Sequence, residues 1–258
     1  MPLLVYILVA YGCTWGLLIP LSGVYATTDP VVRTLWHTLG SLGPTLGALV
    51  AVATQGKQAR RQFLASVLRG IQDGGAWAWA LAPLVVGILV LFLGQLLRPE
   101  ALPTLSDTAA EQGLRWPGDG LVFLLPAIAY GILEEVGWRG WLLPRLQQRF
   151  SARAATGWVA LIWLCWHGPM FGYRFNLEPW MLPGFAISLF AGAVVLTYLW
   201  NRTHGSLPAV ALWHLGYDVV AMSGGPWVAM VVSFGVIAAG IYCWRQLPHR
   251  YSKSSFSH

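Results

Sequence analysis

Six side chains carry most of the chemistry legible in this sequence. Glu134, Glu135 and Arg139 lie in "GILEEVGWRGWLLPR", His167 ends "LIWLCWH", and His214 and Asp218 lie in "PAVALWHLGYDVV". All six interrupt apolar runs. Ionisable groups are costly inside a membrane span and ordinarily line a cavity or pathway there. The other seven acidic residues fall in loops or at span ends. His37 begins an apolar run near an interface, and His204, His249 and His258 lie in loops or the tail.

Helix geometry sorts the six. Glu135 and Arg139 are four apart, acid before base, so they share a face and can pair. Glu134 is turned about 100° from Glu135 and is expected to be free of that partner. His214 and Asp218 also share a face, as do Trp163 and His167, whose indole is placed to wall the histidine's pocket. Peptide hydrolysis needs a base for water, an acid for the leaving amine and donors for the oxyanion. An unpaired glutamate beside a histidine can handle the water, and a second histidine held by a carboxylate or amide one turn on can donate to the oxyanion. The sequence has neither a GxSxG nucleophile elbow nor an HExxH zinc helix. The same residue types also build proton relays, so a proton-coupled transporter is the competing reading, and a non-catalytic scaffold or immunity protein is a third.

The elements that must position these groups are membrane helices. The 258 residues are 56% hydrophobic and only 10% charged, with fifteen Trp. A soluble domain carries nearer a quarter charged residues, and Trp favours the bilayer interface. The expected fold is an all-α integral membrane bundle: one domain over 1–245, its chemical core at about 120–222, followed by a polar tail at 246–258. At about 20 apolar residues per span, eight segments qualify: 3–21, 36–53, 76–97, 120–136, 156–172, 181–200, 206–222 and 226–244. The N-terminal run lacks a basic n-region and reads as a retained first span. With both termini in the cytoplasm, the inner loops and tail hold 12 Lys and Arg, among them Lys57, Arg60, Arg61 and Arg69, and the outer loops hold four, Arg33, Arg98, Arg115 and Arg174. That asymmetry fits eight spans.

The net charge of +6 is distributed among these short loops, so no nucleic-acid surface is expected. Cys13, Cys165 and Cys243 lie in apolar runs without metal spacing and read as small packing residues. The outer segment from Arg98 to about Asp119 is rich in Pro and acid and reads as irregular. "GCTWG" (12–16) and "GPTLG" (43–47) have the small-xxx-small form that lets helices approach closely.

The three constellations together resemble the CPBP family of intramembrane proteases, which includes the CAAX prenyl endopeptidases and bacteriocin-processing and immunity relatives. That family is marked by EExxxR, then aromatic-xxx-His, then His-xxx-Asn/Asp. The corresponding stretches are "EEVGWR", "WLCWH" and "HLGYD". The lead-in "HGSLPAVALWH" and the earlier "GSLGPTLGALVA" are also similar to the family. The resemblance implies an intramembrane endopeptidase acting on a membrane-associated peptide near the cytoplasmic face. It implies Glu134 with His167 activating water, His214 with residue 218 stabilising the oxyanion, and Glu135 with Arg139 holding the site. The family's last position is often Asn. Asp218 donates no hydrogen bond unless protonated and could instead fix the His214 tautomer. The compact chain is more similar to prokaryotic relatives. Glu134, His167 and His214 could also form a three-ligand zinc set with an open position for water. Metal-independent chemistry is the favoured expectation.

Overall fold

The computed structural model describes residues 2–97, 103–175, 178–223 and 225–248. Among them the regular structure is entirely helical. The apolar helices are α1 (Pro2–Val24), α2 (Pro30–Leu39) continued by α3 (Leu42–Ala53), α5 (Gly74–Leu97), α7 (Gly120–Gly137), α9 (Ala152–Trp166), α10 (Leu182–Arg202), α11 (Leu207–Ser223) and α12 (Gly225–Gln246). Short helices α4 (Lys57–Leu68), α6 (Leu105–Glu111) and α8 (Leu143–Gln147) lie between them.

Each expected span contains helix, but 36–53 is divided between α2 and α3, and 156–172 leaves the α-helix after Trp166. Six of these stretches are long and apolar enough to cross a bilayer, and the chain is an integral, multi-pass membrane protein. The helices carrying His167 and His214 are the short ones: α9 has 15 residues and α11 has 17. Two segments expected as loops are partly helical. Residues 57–68, with their cations, form α4. In the outer segment, Thr104 and Asp107 make a capping box that starts α6, because each side chain takes the other's orphan N–H. Arg98, Glu100 and the tail from His249 to His258 lie outside the described residues.

Local sequence explains the breaks. Asp29 caps α2 by accepting the N–H groups of Val31 and Val32, with Pro30 at the first helical position. The chain breaks at Gly40–Ser41, and the Gly40 carbonyl is satisfied by the Thr14 hydroxyl of α1 at 2.7 Å. Below Glu134 and Glu135, α7 widens into a π-helical turn, Trp138–Leu142, where the Leu143 N–H reaches the Trp138 carbonyl. Pro144 follows directly and offers no N–H to the Gly140 carbonyl, so the ordinary ladder cannot continue. The π turn carries Arg139 and three other buried residues, Trp138, Trp141 and Leu142.

Glycine brings the site helices together. Of the two small-xxx-small motifs, only "GPTLG" is an interface. A Cβ at Gly43 would lie 2.4 Å from the Ala10 carbonyl oxygen and one at Gly47 2.8 Å from that of Tyr6, whereas Gly12 and Gly16 face nothing within 4 Å. At the site itself, a Cβ on Gly131 would lie 2.5 Å from Leu215 Cα, and one on Gly137 2.6 Å from the Pro44 carbonyl oxygen. These contacts are with backbone, so only helix separation relieves them. Gly131→Ala should therefore lower unfolding stability by about 1–3 kcal/mol, read as a lower melting temperature in detergent. Gly16→Ala should leave the melting temperature unchanged or raise it slightly.

Candidate active site

Three elements deliver the chemical groups. The C-terminal end of α7 and its π turn supply Glu134, Glu135 and Arg139; the C-cap of α9 is His167; the middle of α11 supplies His214 and Asp218. α11 packs against both α7 and α5 and so sits centrally in the bundle. Pro169, within the 3-10 turn Gly168–Gly172, follows His167 and ends α9, which leaves the imidazole at a helix terminus. Glu134, Glu135, Arg139, His167 and His214 are all buried, while the Asp218 side chain keeps 23% of its surface accessible. That carboxylate marks the open side of the group.

The two glutamates differ as their rotation about the helix requires. Glu135 Oε1 accepts from Arg139 Nη1 at 2.6 Å and from His214 Nδ1 at 2.8 Å. Both Glu135 and Arg139 are fully buried. The guanidinium lies over the Trp163 ring, 4.7 Å from its centroid, adding a cation–π contact. The expected Glu135–Arg139 pair is thus present, and it is extended by His214 from another helix. The other His214 nitrogen, Nε2, faces Asp218 Oδ2 at 3.6 Å. His214 therefore lies between two carboxylates, with the firm hydrogen bond going to Glu135.

Glu134 has no part in that network. Its Oε2 accepts the indole N–H of Trp138 at 2.8 Å and that of Trp163. Among the described residues no donor reaches its Oε1. Trp163 in turn accepts the His167 Nδ1–H at its backbone carbonyl, 2.8 Å away. This bond fixes the tautomer, because a carbonyl can only accept, and it leaves the Nε2 lone pair available. His167 is ringed by Trp166, Phe175 and Phe185, with centroids at 5.1, 5.7 and 5.7 Å. Trp163 also stands edge-on to His214 at 5.4 Å. A single tryptophan thus touches Glu134, Arg139, His167 and His214.

The sequence placed Trp163 only as a wall, and it missed Trp138 although that residue is one turn beyond Glu134. It also missed a second histidine cluster. His37 Nδ1 lies 2.8 Å from the Tyr173 hydroxyl, its ring stacks on Tyr130 at 4.9 Å, and Tyr130 donates to the His37 carbonyl at 2.8 Å. Tyr130 is one turn before Glu134 on α7, so the two share a face.

Among the described residues no group of three or more His, Cys, Asp and Glu is close enough to hold a metal ion. His214 Nδ1 is taken up by Glu135, and one Glu134 oxygen by two indoles.

Removing one partner of the buried network should be severe, because Glu135 Oε2 and Arg139 Nε and Nη2 already lack partners among the described residues. Arg139→Leu should cost about 3–5 kcal/mol of stability through the carboxylate left unpaired. Glu134→Gln should cost far less, since an amide oxygen can still accept both indole N–H groups. Chemical or thermal unfolding in detergent distinguishes the two.

Comparison with known proteins places this geometry. Residues 116–220 match the family model described as type II CAAX prenyl endopeptidase Rce1-like. A curated relative, CAAX prenyl protease 2 of Methanococcus maripaludis, is 24% identical over 118 residues. The aligned part is 43% of this chain and 44% of the relative, so the chain spans under half the length of the curated protein it matches. All six site residues fall inside the family match. Through this region, with its three motifs brought together on α7, α9 and α11, the chain is similar to the CAAX prenyl endopeptidases of the CPBP type.

Proposed function

We propose that the protein is an intramembrane endopeptidase that cleaves a membrane-associated peptide by glutamate- and histidine-assisted attack of water. The observation that carries this reading is the pair of available atoms, Glu134 Oε1 and His167 Nε2, each held by a bond from its other end to Trp163. A water between them loses its proton to Glu134, and its oxygen bonds to the scissile carbonyl carbon. The C–N bond then breaks as Glu134 returns that proton to the departing amine. His214 stabilises the oxyanion. Its Nδ1–H is committed to Glu135, so a second proton on Nε2 supplies the donor. Glu135, Arg139, His214 and Asp218 then balance as two negative and two positive charges. Asp218, on the accessible side, holds the Nε2 end of that imidazole until substrate displaces it.

In this reading α9 and α11 complete an eight-span bundle with both termini cytoplasmic, shielded at their short ends by neighbouring helices. Glu134 lies about 21 Å along the axis from Gly120 and about 20 Å from Gln147, at 1.5 Å per residue. The reaction then takes place near mid-depth, and the substrate bond must be drawn inward from the cytoplasmic face. The break between α2 and α3 is a feature that a transporter would share, so ion flux in liposomes is the control. Proton-coupled flux without cleavage would replace this proposal.

Two outcomes are expected. In a fluorogenic assay with membrane-anchored peptides, farnesylated and unmodified, Glu134→Gln and His167→Ala should each reduce cleavage by roughly 10²–10⁴-fold. The Glu134→Gln melting temperature should remain close to that of the parent. Cleavage that survives Glu134→Gln removes the proposed base. For orientation, Thr28→Cys should react with an impermeant maleimide added outside intact cells, and Gln58→Cys should react only after permeabilisation. The reverse pattern inverts the topology.

A further inference from the structure

A cavity of about 340 Å³, lined by none of the six site residues, lies where the α4–α5 connection meets the α10–α11 turn. Its lining includes Arg69, Gln72, Asp73, Arg202 and His204. The cavity is built by contacts between these two segments. Arg69 Nη1 donates to the His204 carbonyl at 2.5 Å, and the Ser206 hydroxyl donates to the Arg69 carbonyl at 2.6 Å. His204 is held at φ 53 and Gly205 at φ 90, a tight left-handed turn that presents the exposed His204 to the opening.

The charges divide clearly. Asp73 Oδ2 pairs with Arg202 Nη2 at 2.5 Å, and Arg202 Nη1 also donates to the Tyr198 hydroxyl. The Gly75 backbone N–H and then Arg202 hold the Asp73 carboxyl below the usual carboxylate range, so it stays ionised and keeps Arg202 occupied. Arg69 has no carboxylate partner among the described residues, and it is the cation left unbalanced.

The residues flanking this lining in sequence show where the cavity sits. Leu68, next to Arg69, is 82% exposed, and Leu64, one turn earlier, is 56% exposed. Trp77, at the start of α5, is 45% exposed, with its indole N–H turned back to the Ile71 carbonyl. Bare leucines beside arginines, with a Trp at a span's first turn, are the arrangement that lies at headgroup depth, apolar groups in the acyl region and cations above. A soluble anion needs no such apolar rim.

We infer that this cavity binds the phosphate headgroup of an anionic membrane phospholipid, with Arg69 as its main cation and its acyl chains along Leu64, Leu68 and Trp77. Basic pockets between membrane helices take such headgroups. The Asp73–Arg202 pair makes the site selective by limiting its net charge.

The test uses the full chain in neutral detergent, titrated with phosphatidylglycerol or phosphatidylcholine of matched chains, and separately with inorganic phosphate. Binding is read by thermal shift and native mass spectrometry. Phosphatidylglycerol should bind more tightly than phosphatidylcholine and raise the melting temperature, while millimolar phosphate should neither shift it nor compete. Arg69→Gln should weaken phosphatidylglycerol about fivefold. Asp73→Asn should tighten it by a similar factor by releasing Arg202, a gain that misfolding cannot imitate. Equal binding of the two lipids, competition by phosphate, or an unchanged Asp73→Asn affinity overturns the inference.

Discussion

An unpaired charge is costly in the core of a membrane bundle, and the anchoring half of the site is organised around that constraint. Glu135 and Arg139 are fully buried on one turn of helix. Their pairing allows a charged motif to exist there at all. His214 joins the same carboxylate oxygen from α11, so the ion pair also ties two helices together. An interaction that would be worth little at a surface becomes costly to break in this setting. The π turn places Arg139 back over Trp163, and the glycine contacts at Gly131 and Gly137 bring α11 and α3 close enough for the network to close.

With Glu135 paired to Arg139 and His214 through Oε1, Glu134 is left for other chemistry. Two indole N–H groups fix one of its oxygens without supplying a full positive charge. Trp163 makes this division possible. Its indole orients Glu134, its carbonyl orients His167 and its face receives Arg139, so the reactive and anchoring halves share one rigid side chain.

Much of this was legible in the sequence, and the limits have physical reasons. The Glu135–Arg139 pair follows from i,i+4 spacing alone, and the helices follow from apolar runs. The Glu135–His214 bond spans 79 residues and depends on how α7 packs on α11, which no local period encodes. Trp138 could have been read as a partner for Glu134 from the same spacing; it was hidden by the expectation that tryptophan is a membrane-interface or packing residue. The His37–Tyr173 pair joins segments 136 residues apart and was similarly invisible. α4 was expected as loop because its cations break the apolar pattern, yet its leucines and Phe63 still give it an apolar face. "GCTWG" and "GPTLG" are identical in form, and only the fold shows that one faces α1 and the other faces open space.

The central claim is that Glu134 and His167 meet the reacting centre while Glu135 and Arg139 remain apart from it. An experimental structure with a phosphinate peptide analogue tests this most directly, because its tetrahedral phosphorus mimics the water adduct. The account predicts one phosphinate oxygen between Glu134 Oε1 and His167 Nε2, the other within hydrogen-bond distance of His214 Nε2, and an unbroken Glu135–Arg139 pair. A phosphinate bound by Arg139, or held by a metal ion on Glu134, His167 and His214, would contradict it.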